Sequence, residues 1–311
     1  MNYDKLVRRA THFAVISASI LLFTKMIVWW LTGSISLLAS LLDSGVDILA
    51  SVINLFLVRY ALQPADRNHT FGHGKAESLS ALAQSGFVMS FAIILAFNSV
   101  KSLFNPKAIN FPLLGILISV ISLIFTVGLV VYQHHVVKKT GSQAIKADML
   151  HYQSDVMLNI AVLLSLLISW LGFIYADGIF ALVISLYILG SAIHIGINAI
   201  QSLLDRALPD EEIRQILQIA CEFPQVKGVH DIRTRQSGKT KFIQIHLELA
   251  DDMPLIQAHS IADKVEKALQ QVFVDADIII HQDPVSVVEH EIMEKNEIET
   301  PQFNRDEIKI E

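Results

Sequence analysis

This 311-residue sequence has a single cysteine, no excess of positive charge and no His-Glu-x-x-His motif. The lone Cys221 excludes a disulfide framework and a metal site built only from thiolates. The formal net charge of -6 at pH 7 argues against nucleic acid as a partner, because binding to phosphates requires a basic surface. Without a His-Glu-x-x-His helix, the usual zinc metalloprotease motif is missing as well.

Long apolar runs, by contrast, are abundant. Hydrophobic residues make up 52% of the chain and the mean hydropathy is +0.48, which is too apolar for an ordinary soluble protein. Short polar links between the runs disfavour the alternative, the core of a large soluble helical protein. We therefore predict six transmembrane helices, at roughly 12–33, 36–60, 79–103, 111–137, 147–171 and 177–204.

The distribution of basic residues predicts the orientation of these spans. The basic segment 1–9 leads into the first run without a small-residue cleavage site, so we expect a retained span rather than a signal peptide. Cytoplasmic loops carry the excess of Lys and Arg, and the opposite side here has only Lys101 and Lys107. Both termini are therefore expected in the cytoplasm. The residues assigned to the cytoplasmic side are Lys5, Arg8, Arg9, Arg59, Arg67, Lys75, Lys138, Lys139, Lys146 and Arg206.

Two pairs of ionisable residues lie within the apolar runs. Asp43 and Asp47 are four residues apart in the second run, which is about one helical turn. His151 and Asp155 have the same spacing in the fifth run, so each pair shares one face of its helix. Neutral polar residues could hold helices together at lower cost, whereas ionisable residues inside a membrane indicate a functional site. The four side chains predict a tetrahedral site for a divalent cation between two helices.

The polar segment between the second and third runs holds three further metal ligands. Asp66, His69 and His73 occur within eight residues, and Gly72 and Gly74 let the backbone bend around them. Three ligands leave an open coordination position, which suits weak binding or delivery better than a closed structural site. The alternative is a polar loop with incidental histidines.

After Arg206 the composition changes to that of a small soluble domain. Acidic residues directly after Pro209 predict a helix that continues to about Glu222, and a second helix is predicted over 255–273. Strands are predicted at 229–235, 241–250 and 276–281.

In the middle strand Ile243, Ile245 and Leu247 alternate with polar residues, as in a half-buried strand. The order α-β-β-α-β predicts a small α+β domain at 209–287, with helices on one face of a sheet, after a membrane domain at 1–208. The polar segment 288–311 has no periodic apolar face and is expected to be disordered.

Histidine is dense in this second domain, and we expect some of these residues to bind metal. The last predicted strand ends at His281 and Asp283, and His246 is on the polar face of the middle strand. The alternative is that these are surface histidines that do not meet in space. The candidate ligands are His230, His246, His259, His281 and Asp283.

Together these residues resemble the cation diffusion facilitator family, of the bacterial ferrous-iron and zinc efflux type. The similarity covers roughly residues 7–286 and rests on motifs that are specific to that family. The matching stretches are 40–47 in the second span, 61–66 and 71–77 in the loop, 147–155 in the fifth span, 201–209 and 279–284.

The resemblance implies a homodimer in a bacterial inner membrane, with six spans per subunit and a metallochaperone-like cytoplasmic domain. It implies one transport site per subunit at the four intramembrane residues, the loop site, and a two-metal cluster in the cytoplasmic domain. It also implies a charge pair between Lys75 and Asp205 that ties the two parts together. One histidine among three aspartates is similar to the zinc-preferring form, while Cd(II) and Fe(II) stay open as substrates.

The implied activity is proton-coupled export of a divalent metal, and not an enzymatic reaction. Metal ligands must be deprotonated, so protons and the metal compete for the same atoms. Two other classes stay open. An intramembrane metalloenzyme would need an open zinc position and a nearby general base. A membrane metal sensor that does not transport would have no need of the intramembrane pairs.

Overall fold

The computed structural model describes residues 3–32, 35–104, 113–170, 175–288 and 303–304, and the chain divides into two compact units at Leu203. The first unit consists of long helices, of 27 to 30 residues each. At 1.5 Å per residue, each exceeds the roughly 30 Å of a bilayer's hydrocarbon core. These helices are α1 (Tyr3–Thr32), α2 (Ile35–Ala61), α3 (Lys75–Phe104), α4 (Leu113–Thr140), α5 (Gln143–Trp170) and α6 (Ala176–Leu203).

The six predicted spans coincide with these six helices. α1 begins nine residues earlier than predicted, because the basic N-terminal segment continues the helix. Within the described residues, four stretches are both long and apolar enough to cross a membrane: Tyr3–Ile27, Lys75–Phe104, Val120–Thr140 and Gly178–Leu203. They belong to α1, α3, α4 and α6, whereas the ionisable pairs are on the other two helices, α2 and α5.

Small residues bring α3, α5 and α6 close together. Ala81 and Ala92 on α3 pack with Ala192 and Ala199 on α6, and Ala147 on α5 joins the same cluster. Small side chains let helix backbones approach, which is how membrane helices gain van der Waals contact without a hydrophobic driving force between them. A second cluster joins α1, α2, α4 and the start of α5.

The second unit is a sheet with helices on one face. Its helices are α7 (Asp210–Cys221) and α8 (Leu255–Val272), and its main strands are β1 (Gly228–Ser237), β2 (Thr240–Leu249) and β3 (Asp277–Pro284). β2 pairs antiparallel with β1 and parallel with β3. The core includes Ile216 of α7, Ile245 of β2 and Val265 of α8, all fully buried. The predicted α-β-β-α-β order is therefore confirmed.

The three described residues of the segment expected to be disordered form structure, and the first of them, the buried Val288, lies in a helical turn. Phe303–Asn304 make a short strand, β4, that pairs antiparallel with Gly228 and Val229 at the edge of β1. A strand edge offers unpaired N–H and C=O groups, so an extended segment of the same chain can add to it. Of the rest of that segment, 289–302 and 305–311 lie outside the described residues.

Candidate metal centres

Three of the four predicted intramembrane ligands come together between α2 and α5. Oxygen and nitrogen atoms of Asp47, His151 and Asp155 all lie within 4.8 Å of one another, and the three side chains are partly buried. His151 Nε2 lies 3.0 Å from Oδ1 of Asp47. The edges of a tetrahedral zinc site with metal–ligand bonds near 2.0 Å measure about 3.3 Å, so small side-chain movements would bring the ligands to bonding distance.

The fourth predicted ligand, Asp43, lies on α2 one turn before Asp47. Its side chain lies outside the part of the chain that the structure describes. The position of its backbone agrees with the predicted shared face, and its role as a ligand stays a prediction.

A second contact between α2 and α5 lies next to the ligands. The hydroxyl groups of Ser51 and Tyr152 are 2.6 Å apart and both side chains are buried. Ser51 follows Asp47 by one turn, and Tyr152 directly follows His151. The hydrogen bond therefore joins the two helices at the level of the site.

A buried carboxylate that was not among the predicted ligands lies one turn from His151. Asp148 is fully buried and accepts hydrogen bonds from Gln84 Nε2 on α3 at 3.1 Å and from Gln133 Nε2 on α4 at 2.6 Å. This carboxylate joins three helices at the base of the site. Its i, i+3 spacing from His151 in an apolar run could have identified it from sequence.

A lysine inside the first span was missed as well. Nζ of Lys25 on α1 donates a hydrogen bond to Ser44 Oγ on α2, at 2.6 Å. Ser44 directly follows Asp43 in the chain, so a cationic group from a third helix lies close to the ligand-bearing turn. A single lysine within an apolar run is the sequence signal that could have found it.

The loop between α2 and α3 brings its three predicted ligands together. Ligating atoms of Asp66, His69 and His73 lie within 4.8 Å of one another. Asp66 Oδ1 accepts hydrogen bonds from the backbone N–H groups of Asn68 and His69, at 2.8 and 2.7 Å. The bond from His69 is the main reason why the pKa of Asp66 is below its usual value.

The tautomer of His73 suits metal binding. Its ring is buried, and Nδ1 lies 3.2 Å from the carbonyl oxygen of Pro64, which can only accept, so Nδ1–H is the donor. In the neutral ring this leaves the lone pair of Nε2 directed toward Asp66, whose Oδ2 is 3.4 Å away. A backbone carbonyl that orients the far nitrogen is the usual outer contact of a histidine ligand.

Three histidines form a row across the sheet of the second unit. His230 of β1 is directly opposite His246 of β2, which in turn is opposite His281 of β3. Their neighbours Val229, Ile245 and Leu247 point into the core, so alternation directs the histidines to the face opposite the helices.

Asp283 is the acidic centre of this row. Its Oδ2 lies 2.8 Å from His246 Nδ1 and 3.4 Å from His230 Nε2, and its Oδ1 lies 3.1 Å from His281 Nε2. His230, His246 and Asp283 have ligating atoms within 4.8 Å of one another. His281 is mostly exposed at the margin of the cluster.

Two carboxylates outside the predicted ligand set also contact this cluster. Glu248 Oε1 lies 3.0 Å from His230 Nδ1, and Asp231 Oδ2 lies 3.6 Å from His246 Nε2. Asp231 has a positive φ of 43° at an irregularity in the β1–β2 register, and such a bulge redirects a side chain. The hydrogen bond to Glu248 raises the pKa of His230, against its partial burial, and the charges of Glu248, Asp283 and Asp231 add to the increase.

The last three predicted residues are His259, Lys75 and Asp205. His259 is exposed on α8, outside the group formed by His230, His246 and Asp283. Lys75 Nζ donates to the backbone oxygen of Leu203 at 3.1 Å, and Asp205 accepts from Arg235 at 3.3 Å. The charge pair predicted between Lys75 and Asp205 stays a prediction.

Each of the two units matches the model of a known protein family. The description "Cation efflux transmembrane domain" matches residues 11–204, and "Cation efflux protein, cytoplasmic domain" matches residues 208–285. The helical membrane unit and the sheet unit thus define a transporter of metal cations and not an enzyme. The chain belongs to the cation efflux family, the cation diffusion facilitators.

Relatives with assigned names are similar over nearly the whole chain. A cation-efflux pump FieF from Salmonella choleraesuis is 57% identical over 290 residues, which cover 93% of this chain and 97% of the relative. A protein of the same name from Escherichia fergusonii is 55% identical over the same coverage. The family and these relatives make the protein a multi-pass membrane transporter that exports metal cations.

Solved structures match part of the chain. The Zn form of CzrB is 34% identical, with a TM-score of 0.25, and the match covers 26% of this chain and 94% of that one. The metal-bound C-terminal domain of the CzcD transporter from Thermotoga maritima is 27% identical, with a TM-score of 0.24, covering 25% and 94% respectively.

Proposed function

We propose that the protein exports Zn(II) from the bacterial cytoplasm by metal/proton antiport, with the metal bound between α2 and α5. The observation that carries the proposal is the convergence of Asp47, His151 and Asp155. Asp43, one turn before Asp47, supplies the fourth ligand. Ionisable groups inside a membrane are costly, so a cluster of this kind is retained for transport rather than for stability.

The contact between His151 and Asp47 supports exchange of the metal with protons. With Nε2 and Oδ1 at 3.0 Å, one proton lies between the two atoms, whichever of them carries it. A metal ion that binds both atoms must replace that proton. Protons from the outside then displace the metal, and the helices alternate between inward and outward access.

The ligand types favour zinc as the substrate. An imidazole nitrogen combined with carboxylate oxygens in a four-ligand set suits Zn(II), which tolerates tetrahedral geometry. Cd(II) and Fe(II) accept the same donor atoms and are the other substrates we consider. A site made only of carboxylates would suit harder cations such as Mn(II) better.

The loop site and the cytoplasmic cluster serve the same transport of metal across the membrane. In the loop, Asp66, His69 and His73 form an open, partly exposed site that suits delivery of metal to the membrane site. In the cytoplasmic unit, metal bound by His230, His246 and Asp283 stabilises a homodimer and regulates transport. Both termini lie in the cytoplasm and the protein resides in the inner membrane, in agreement with the excess of Lys and Arg on that side.

Flux into liposomes tests the proposal. Purified full-length protein is reconstituted around a trapped zinc dye, zinc is added outside, and entry is compared with and without an opposing proton gradient. We expect entry to accelerate with the gradient and to fall by at least about 100-fold in Asp47→Ala and Asp155→Ala, each of which removes a ligand. Asp263→Ala, which removes an exposed carboxylate on α8 that pairs with Lys267, is the matched control.

Normal flux in either ligand variant would overturn the site assignment. Zinc entry that ignores the gradient would make the protein a facilitator rather than an antiporter. Zinc binding without any entry would instead favour a membrane sensor.

A further inference from the structure

A cavity of about 570 Å³ lies between α1 and α4, away from all three metal centres. Arg8 and Arg9 make one end of the cavity cationic, and His12 lines the same end. Both arginines are exposed, and within the described residues neither guanidinium has an ion-pair partner. His12 Nδ1 donates to the carbonyl oxygen of Arg8 at 2.6 Å, which holds its ring against the helix.

The rest of the cavity is an apolar groove. On α1 it is lined by Phe13 and Ile16, which are 42% and 55% exposed, and on α4 by Gly128 and Tyr132. The rings of Phe13 and Tyr132 meet edge to face with centroids 5.5 Å apart, and this contact joins the two helices. Gly128 leaves the groove open, because a Cβ added there would meet no atom within 4 Å.

The cavity is near the end of the helices where basic residues gather. α4 ends with the exposed Lys138 and Lys139, a few residues after Tyr132, and α1 begins shortly before Arg8. Membrane helices carry basic residues of this kind where they meet the phospholipid headgroups, and the groove continues from the arginines along the apolar residues of α1. Basic pockets between membrane helices bind anionic headgroups.

The geometry points to a binding site for one anionic phospholipid, with its phosphodiester between Arg8 and Arg9 and an acyl chain along the groove of Phe13, Ile16 and Gly128. Charge complementarity selects the headgroup, because guanidinium groups form paired hydrogen bonds with phosphate oxygens. The apolar groove selects a lipid over a free phosphate. The cavity volume is within the range of small-molecule sites, about 300–1,000 Å³.

Native mass spectrometry of the full-length protein in neutral detergent tests this site. The probes are phosphatidylglycerol, phosphatidylcholine with the same acyl chains, and glycerol 3-phosphate, which has the phosphate but no chains. Two variants remove the site by different means: Arg8→Gln/Arg9→Gln removes the charge, and Gly128→Leu adds a side chain in the groove at a position where a Cβ meets no atom within 4 Å. Arg59→Gln at the exposed end of α2 controls for charge, and Gly190→Leu on α6 controls for the added side chain, since a Cβ added at Gly190 also meets no atom within 4 Å.

We expect phosphatidylglycerol to bind more tightly than phosphatidylcholine and to lose about 30-fold in affinity in Arg8→Gln/Arg9→Gln, a factor of about five for each arginine. Gly128→Leu should weaken binding of the same lipid at least about tenfold, because an acyl chain loses several buried CH₂ groups. Both control variants should bind as the unmodified protein does.

Three results would overturn the assignment. Equal binding of the two lipids would remove the headgroup selection. An equal loss in Arg59→Gln would reduce the effect to general attraction at a basic membrane surface. Competition by glycerol 3-phosphate at the concentration of the lipid would make this an anion site without a role for the groove.

Discussion

The side-chain amide of Gln133 on α4 donates a hydrogen bond to the carboxylate of Asp148 on α5, with Nε2 and Oδ2 2.6 Å apart. Gln84 on α3 donates to the other oxygen of the same carboxylate. Asp148 is one turn before His151, so this contact ties the ligand-bearing part of α5 to two further helices.

The network predicts a difference between two substitutions of Asp148. Asp148→Ala leaves two buried amide donors without an acceptor, and we expect a loss of about 1–3 kcal/mol in unfolding free energy. Asp148→Asn should cost less than about 1 kcal/mol. Gln133 Oε1 has no hydrogen-bond partner among the described residues, so the Gln133 amide can turn over and accept from the new side chain.

Denaturant titration of the detergent-solubilised protein measures both values. Ser90→Ala on α3, which removes an exposed hydroxyl that donates to the carbonyl oxygen of Gly86 in its own helix, is the control and should change the unfolding free energy little. If alanine and asparagine destabilise equally, the amide contacts have no part in the stability of this region.

The hydroxyl contact between Ser51 and Tyr152 gives a second prediction. Tyr152→Phe and Ser51→Ala each remove one partner of the hydrogen bond. We expect the double variant to lose less unfolding free energy than the sum of the losses in the two single variants. The coupling energy should be about 0.5–1.5 kcal/mol, because the bond is buried between two helices. A double-mutant cycle on unfolding free energy measures it, and simple additivity would mean that the contact contributes nothing.

The pH dependence of the metal-free protein gives a third prediction. The pKa of His230 is raised, mainly by its hydrogen bond to Glu248, so the folded protein holds this proton more tightly than the unfolded chain does. The stabilisation is fully present below the ordinary histidine pKa of about 6.5 and is lost as the pH rises through the higher folded value. The contribution of His230 should therefore make the unfolding temperature of chelator-treated protein higher at pH 6 than at pH 8.

Comparison with Glu248→Gln isolates that contribution, because this variant keeps the side-chain shape and removes the charge. Its unfolding temperature should depend less on pH over this range. An unchanged pH dependence would show that the Glu248 contact does not affect the protonation of His230.

The loop site gives a fourth prediction. Asp66→Asn keeps an oxygen that can accept from the backbone of Asn68 and His69, while the negative charge is lost. We expect zinc affinity at the loop to fall about tenfold or more with the backbone unchanged. Zinc titration in an Asp47→Ala/His246→Ala background, where the membrane site and the cytoplasmic cluster are both impaired, measures this loss, and an unaffected affinity would exclude Asp66 as a ligand.

Features that depend on the periodicity of a single helix or strand could be predicted from the sequence. The four-residue spacing of Asp43 and Asp47 determines a shared helical face, because an α-helix turns once in 3.6 residues wherever it lies. The alternation of Ile243, Ile245 and Leu247 likewise identified the buried face of β2 before any partner strand was known. The length of the apolar runs was sufficient to predict six long helices, because a helix that crosses a bilayer needs about 20 apolar residues.

Contacts between distant elements were decided only by the tertiary structure. The row of His230, His246 and His281 depends on the pairing register of three strands, and a shift by one residue would turn each side chain to the other face. The approach of Asp148 to Gln84 and Gln133 depends on which helices pack together. The periodicity within a helix or strand follows from backbone geometry, which is the same for almost every residue type. Contacts between distant elements depend instead on how the whole chain packs, and no single stretch of sequence encodes that.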